Sequence, residues 1–253
     1  MSGHSKWSKV KHYKGALDAK RGQKFAKLGK EMTVAVKHGG GDPGSNPRLR
    51  TILMKARTVN MPADNIERAI KKGTGELPGV VYEEISYEGF APGGVALLVE
   101  LLTDNKNRTA GEIRAIFTKR GGHMAGAGAV KHLFHRKGQL LISKDQISED
   151  DLLTVALDAG AEDVQTHAEN YEVLTDPHQF EAVHKAIEAK GVKPQSAEIT
   201  NLALTLVPVA DEKTARAVLD LIEALEDNDD VQNVYSSEDI PDDILDKLHA
   251  TAA

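Results

Sequence analysis

The chain of 253 residues contains no cysteine, and this absence excludes several kinds of site. It can form no disulfide, no Cys-based zinc finger and no thiolate-bound iron–sulfur cluster, and it has no thiol nucleophile. Aromatic residues make up only 4% of the chain, so we expect aliphatic cores built from Leu, Val, Ile and Ala. The hydrophobic content of 40% suits a folded protein, and the length allows two or three domains.

Long hydrophobic runs are also missing. The longest, VALLVELL at 95–102, is interrupted by Glu100 and is too short to span a bilayer. The N-terminal stretch MSGHSKWSKVKHYKG has no apolar core of the kind found in secretion signals. We therefore expect a soluble, cytoplasmic protein.

The usual signatures of catalysis are absent as well. The chain has no G-x-S-x-G, H-E-x-x-H, Walker A or dinucleotide-binding motif. The segment GGGDPGSNP at 39–47 lacks the final Gly-Lys-Ser/Thr of a phosphate loop and is expected to break a helix. Asp104 and Arg108 are expected to form a polar pair between a strand and a helix, with Asn107 as the helix cap. We therefore predict a protein that is not an enzyme.

Two groups of potential metal ligands are interpreted as structural. The acidic segment EALEDNDD at 223–230 lacks the spacing of a calcium-binding loop and is expected to be a solvated helix end. His132 and His135 lie in a predicted strand, where a spacing of three puts them on opposite faces. We predict no metal and no cofactor.

Charge is distributed very unevenly along the chain. Residues 1–79 contain 17 Lys and Arg against 6 Asp and Glu, whereas the remaining residues contain 15 against 32. A basic segment joined to an acidic one favours a polyanionic partner, most often nucleic acid. The alternative, that the lysines only keep helices soluble, is less favoured because solvated faces normally mix both signs.

The basic segment is predicted to be an arm followed by three helices. In residues 1–14, lysines alternate with aromatic residues that can stack on bases, although Trp7 is equally well explained as an anchor for the arm. Helical spacing predicts helices over about 16–37, from Asn46–Pro47, and from about Pro62 to Gly73. The candidate nucleic-acid contacts are Lys6, Trp7, Lys9, Lys11, Lys14, Lys20, Arg21, Lys24, Arg48 and Arg50.

Beyond residue 80 the pattern changes to alternating strands and helices. Strands over 82–87, 95–102 and 129–136 surround a helix over 107–120, and a βαββαβ series typical of a ferredoxin-like unit starts at Gly138. A helix over 212–226 and a strand over 231–235 remain, and they are expected to complete the first unit.

These elements predict an α+β multidomain protein, with a three-helix bundle and two α+β domains, one ferredoxin-like and inserted in the other. The predicted domains are 1–79, 80–137 with 206–253, and 138–205. Three domains in series is the alternative.

Several motifs together resemble the YebC family, which includes the mitochondrial translational activator of cytochrome oxidase subunit I. They are GHSKW (3–7), KRG (20–22), GGGDP (39–43), NPRLR (46–50), NMP (60–62), IERAIKKGTG (66–75), YEGFAPGG (87–94) and LLTDNKNRT (101–109). Residues 121–135 depart from the usual family pattern. The resemblance implies the same three-part fold. It also implies one of two roles: DNA-binding transcriptional regulation, or ribosome binding with relief of stalling at proline-rich stretches.

Three hypotheses follow from these observations. The first is a non-enzymatic factor that binds ribosomal or transfer RNA and aids translation. The second is a DNA-binding transcriptional regulator, which predicts a strong preference for particular duplex sites. The third is a protein-interaction scaffold whose basic part docks on the chain's own acidic domains or on an acidic protein. No membrane or small-molecule partner is predicted.

Overall fold

The computed structural model of the chain describes residues 17–252, with side-chain environments from residue 21 to residue 248. The described chain is a mixed α+β protein. Its contacts separate into two compact units. We call residues 17–131 with 210–236 the bundle–sheet unit, and residues 132–209 with 237–252 the acidic unit. Nowhere in the described range is a helix both long enough and apolar enough to cross a membrane.

The elements alternate between helical and extended structure after an all-helical start. The helices are α1 Leu17–Gly39, α2 Pro47–Thr58, α3 Ala63–Thr74, α4 Lys106–Lys119, α5 Glu149–Asp158, α6 Phe180–Ala189, α7 Glu212–Glu226 and α8 Asp242–Ala252. The strands are β1 Glu83–Phe90, β2 Ala96–Thr103, β3 His123–Ala125, β4 Phe134–Ser143, β5 Ala161–Thr166, β6 Asn170–Thr175, β7 Ser196–Ala203, β8 Val207–Pro208, β9 Val231–Ser236 and β10 Glu238–Asp239.

The helices α1, α2 and α3 pack around one apolar cluster that includes Met32, Leu49 and Ile52. The connection from α1 to α2 is fixed by Asn46, which is buried. Its side chain accepts a hydrogen bond from the Leu49 amide and donates to the carbonyls of Ala35 and Gly40. The helix start predicted at Asn46–Pro47 is therefore confirmed.

The bundle–sheet unit also contains a four-stranded antiparallel sheet of order β3-β1-β2-β9. Strand β9 reaches this sheet from more than a hundred residues farther along the chain and pairs with β2, as the two leftover elements predicted. Most of β2 is buried, as its apolar sequence requires. Helix α4 contributes Ile113 and Phe117 to the interior. A Cβ at Gly89 would lie 2.6 Å from the Phe117 ring, so the strand needs glycine there.

The acidic unit contains a second four-stranded antiparallel sheet, of order β5-β6-β4-β7. The element order β4-α5-β5-β6-α6-β7 is the βαββαβ series of a ferredoxin-like unit. Leu140, Ile142, Val173, Val183 and Ile187 form its apolar cluster with the two helices. A short parallel pair, β8 with β10, and helix α8 also belong to this unit.

The prediction of a strand over 129–136 was wrong for residues 129–133. Residues 131–133 form a 3-10 turn, and β4 runs unbroken from Phe134 through Gly138. A Cβ at Gly138 would lie 2.6 Å from the Phe180 ring, so this glycine permits close packing within the strand. His132 consequently lies in the turn, not in a strand with His135.

The predicted cap of α4 also needs correction. Asn105, rather than Asn107, accepts the hydrogen bond from the Arg108 amide, at 3.1 Å. Asn107 lies inside the helix. Both asparagines suit a cap by type, and the position of the helix start decides between them.

Candidate nucleic-acid interface

Five of the predicted contacts lie in the N-terminal arm, outside the described residues: Lys6, Trp7, Lys9, Lys11 and Lys14. Lys20 lies within helix α1, although its side chain is outside the described range. One turn later on the same helix, Lys24 is exposed. Residues spaced four apart share one helix face, so positions 20 and 24 continue the basic arm along α1.

Exposed cations are found on all three helices of the bundle. Arg21 is exposed and lies over the Phe25 ring, with 5.6 Å between the guanidinium carbon and the ring centroid. The other exposed cations with described side chains are Lys24, Lys37, Arg57, Arg68 and Lys72, together with Arg48. The sequence prediction had singled out only part of this set.

The two predicted arginines of α2 are held by groups of the protein. Arg48 forms an ion pair with Glu84 of strand β1. Arg50 donates to the carbonyl of Pro43 at 2.6 Å and to that of Gly44 at 3.2 Å, which ties the start of α2 to the loop before it. Arg48 and Arg50 thus bind oxygen atoms of the protein, whereas Arg21 lies over an aromatic ring and Lys24 is exposed.

A second set of α1 cations contacts a turn that we call the acidic turn, residues 226–230, between α7 and β9. Lys27 donates to the Glu226 carbonyl at 2.5 Å. Lys30 donates to the Asp229 carbonyl at 2.9 Å and pairs with the Asp230 carboxylate at 3.0 Å. Burial lowers the pKa of Lys27, although the surrounding carboxylates act in the opposite direction. Helix α1 thus has one set of cations exposed and another held by acidic groups.

Asp230 is the centre of this contact, with only 5% of its surface exposed. Besides Lys30, its carboxylate accepts hydrogen bonds from Arg108 at 2.7 Å, Thr109 at 2.8 Å and Thr103 at 3.1 Å. Burial works against its charge, but hydrogen bonds from Arg108, Lys30 and Thr109 prevail and lower the pKa of Asp230 to about 2. Asp230 therefore joins α1 to the ends of β2 and α4 as a carboxylate.

The predicted polar pair of Asp104 and Arg108 is confirmed, at 2.8 Å. It belongs to an open, polar cleft of about 480 Å³ beside the acidic turn. The cleft is lined by Lys30, Tyr82, Asp104, Arg108, Glu112, Asp227, Asn228, Asp229 and Asp230.

The expectation that 223–230 is a solvated helix end was wrong for Asp230, and sequence reasoning missed its contact with α1. A signal was present: carboxylates cluster at the C-terminal end of α7, where the helix dipole disfavours negative charge. Such a cluster calls for cations from elsewhere in the fold, and Lys27 and Lys30 supply them.

Glu88 is a second buried carboxylate that the sequence did not reveal. It accepts backbone N–H groups from Gly128 at 2.7 Å, Val130 at 2.5 Å and Lys131 at 2.8 Å. Burial opposes its charge, yet these hydrogen bonds lower the pKa of Glu88 overall. The loop in 121–135, which departs from the pattern of the resembled family, is thus fixed to strand β1.

Comparisons with known proteins cover nearly the whole chain. A model of the TACO1/YebC N-terminal domain matches residues 5–76, and a model of the TACO1/YebC second and third domains matches residues 82–237. A "probable transcriptional regulatory protein" of Geobacter sulfurreducens is 57% identical over 98% of this chain and 100% of its own length. One of Dictyoglomus turgidum, with the same name, is 54% identical over the same shares. The crystal structure of a conserved hypothetical protein from Aquifex aeolicus matches with a TM-score of 0.79 and 47% identity, over 88% of this chain and 92% of that one.

Proposed function

This chain belongs to the TACO1/YebC family, and from that membership we propose that it is a regulatory factor of gene expression that acts by binding nucleic acid, without catalysing a reaction. The observation that carries the proposal is the set of exposed cations on α1, α2 and α3, in continuation of a lysine-rich arm. Cations of this kind neutralise phosphates whatever the base sequence.

The proposed contacts extend from the arm onto the bundle. They are Lys6, Trp7, Lys9, Lys11, Lys14, Lys20, Arg21, Lys24, Arg48 and Arg50, with Lys37, Arg57, Arg68 and Lys72 added from their exposure. In this proposal Trp7 stacks on an unpaired base, and the cations bind the backbone. Because Arg48 and Arg50 already have partners, we expect them to contribute less than Lys24.

We also propose three domains: the bundle at 1–79, a discontinuous α+β domain at 80–137 with 206–253, and an inserted ferredoxin-like domain at 138–205. In this arrangement the bundle binds nucleic acid, while the acidic domains remain away from the phosphates and are available for protein contacts.

Within this function, our first candidate is RNA of the ribosome or of tRNA, bound in the cytoplasm to aid translation by relieving stalling. Specific reading of duplex DNA needs Arg, Asn or Gln side chains directed as a set at base edges. Arg48 and Arg50, at the start of α2, are instead engaged with Glu84 and with loop carbonyls. This engagement favours binding through the backbone.

The alternative is a DNA-binding transcriptional regulator, and the names of the two relatives favour it. The two candidates differ in their preferred nucleic acid. A transcriptional regulator should prefer one duplex site over bulk DNA by about a thousandfold or more. A translation factor should sediment with ribosomes in a lysate gradient, and crosslinking should recover ribosomal or transfer RNA. Recovery of defined promoter DNA would reject our first candidate.

Two triple variants that remove lysine charges test the basic surface of the bundle. Lys24→Gln, Lys37→Gln and Lys72→Gln together should make the log–log salt dependence of nucleic-acid binding shallower by about 2 to 3, if each lysine neutralises one phosphate. The control removes the same charge from exposed sites of the acidic unit: Lys185→Gln, Lys190→Gln and Lys193→Gln. Equal effects of the two triple variants would argue against a binding surface on the bundle. A protein that binds no nucleic acid would favour the scaffold hypothesis.

A further inference from the structure

The acidic turn presents to α1 the kind of acceptors that a nucleic-acid backbone would present. Gln23 donates to the Asp227 carbonyl at 2.8 Å and to the Asp229 carboxylate at 3.2 Å. Lys27 and Lys30 follow at helical spacing and donate to oxygens of the same turn. A line of anionic and carbonyl oxygens along a helix face resembles a row of phosphate oxygens in both charge and hydrogen-bonding character.

The two sides of this contact are fixed to the protein in different ways. The turn is anchored to the sheet, because Asp230 also accepts from Arg108, Thr103 and Thr109 and its carbonyl accepts from the Leu102 amide at 2.8 Å. Helix α1 is anchored to α2 and α3 through their common apolar cluster, whose members all lie within residues 25–70. Each side can therefore keep its own fold if the polar contact between them opens.

Gln23, Lys27 and Lys30 contact the turn through charged and polar groups. Lys30 adds a contact with the Tyr82 ring, with 5.5 Å from its Nζ to the ring centroid. Burial disfavours the charge of Lys27, so this lysine would regain hydration on leaving the turn. A polar contact of this kind weakens as salt or a competing polyanion is added, whereas apolar packing would not.

From these observations we propose that the acidic turn is an intramolecular competitor of nucleic acid, which occupies Lys27 and Lys30 until a phosphate backbone displaces it. The inference rests on the function proposed above and adds its regulation. The exposed cations, such as Lys24, make the first contact with the polyanion. Opening of the turn then adds the two held lysines to the bound surface, and weak or short polyanions do not open it.

A covalent link between α1 and the turn tests this directly, and the absence of native cysteine makes the labelling clean. In the full chain carrying Gln23→Cys and Asp229→Cys, the two thiols are joined by bismaleimidoethane or are each capped with N-ethylmaleimide. Both forms carry the same charge. Binding of a fluorescein-labelled single-stranded RNA, and of a duplex DNA of the same sequence, is measured by anisotropy over a range of salt concentrations.

The linked form should bind more weakly than the capped form, with a log–log salt dependence shallower by about 1 to 2, because two lysines cannot reach phosphates. Equal or tighter binding by the linked form would overturn the inference, since the turn would then merely position α1. If neither form binds either probe, nucleic-acid binding itself has failed and the competitor role falls with it.

Two double variants, each of which replaces two carboxylates by amides, give an independent test without a linker. Asp227→Asn with Asp229→Asn should tighten binding and steepen the salt dependence by about 1 to 2. The control, Glu212→Gln with Asp220→Asn, removes the same charge from helix α7, which leads into the turn. An equal gain in both double variants would assign the effect to net charge and contradict the inference.

Discussion

The two units of the protein each bury a carboxylate, but they use it differently. In the bundle–sheet unit, Asp230 is bound by Lys30 and Arg108, which come from separate elements. In the acidic unit, Glu172 is fully buried and is bound within one sheet region, by Gln139 at 2.5 Å and by His167 at 2.9 Å. The first carboxylate joins α1 to the ends of β2 and α4, whereas the second supports a sheet that has its own apolar core.

The acidic unit and the bundle–sheet unit also differ in their balance of charged residues. The residues of the acidic unit include 7 Lys and Arg against 18 Asp and Glu, so acidic residues outnumber basic ones by more than two to one. The bundle–sheet unit is nearly balanced, with 21 Lys and Arg against 20 Asp and Glu, but its residues 17–79 contain 13 against 6. This excess of cations within the three helices is the physical basis for assigning polyanion binding to the bundle.

The largest effect on stability is expected at Asp230. Asp230→Ala should lower the free energy of unfolding by about 3 kcal/mol, because it leaves Lys30 and Arg108 without their shared carboxylate. The control Asp104→Ala removes an exposed partner of Arg108 and should cost less than about 1 kcal/mol. Urea unfolding followed by circular dichroism measures both. Similar losses in the two variants would mean that Asp230 does not join the elements as described.

A somewhat smaller effect is expected in the acidic unit. Glu172→Ala removes the acceptor for Gln139 and His167 and should lower the free energy of unfolding by about 2 kcal/mol. Glu169→Ala, at an exposed position just before strand β6, should change it by less than about 0.5 kcal/mol. If the variants also bind nucleic acid like the wild type, the function is confined to the other unit. If Glu172→Ala is fully folded but binds nucleic acid more weakly, the acidic unit also takes part in binding.

The dependence of stability on pH separates charge from shape at Asp230. Because the folded pKa of Asp230 lies near 2, below its value of about 4 in an unfolded chain, its charge stabilises the fold fully above about pH 5. This contribution is lost as the pH falls towards 2. The stability gap between the wild type and Asp230→Asn should therefore close over that interval in denaturant titrations. A gap that persists at pH 2 would indicate packing rather than charge.

The smallest effects should distinguish held from exposed lysines on α1. Lys30→Gln should cost about 1 kcal/mol, since it removes a partly buried ion pair, whereas Lys24→Gln should change stability by less than about 0.5 kcal/mol. Thermal unfolding of the two single variants tests this order. The reverse order would show that the division of α1 into held and exposed cations is incorrect.

Local signals in the sequence predicted local structure well. Asn46 followed by Pro47 marked a helix start that the fold confirms, because a cap depends on residues within one turn. The pairing of β9 with β2 was also predictable, since a helix and a strand were left over once the βαββαβ series was complete.

Signals that depend on distant partners were missed. The stretch 129–136 has the composition of a strand, but Glu88, more than forty residues earlier in the chain, binds its first amides and prevents pairing there. Helical spacing could not separate Lys24 from Lys27, because the carbonyl that holds Lys27 lies 199 residues away. Charge counts therefore identified the basic region, while the division of its cations required the fold.

The central claim is that the bundle and its arm bind a phosphate backbone, and the salt dependence of binding by the full-length protein tests it most directly. With about six phosphates neutralised, the slope of log affinity against log salt concentration should be about −4 to −5 for single-stranded RNA or duplex DNA. A slope near zero, or no measurable binding at low salt, would contradict the claim.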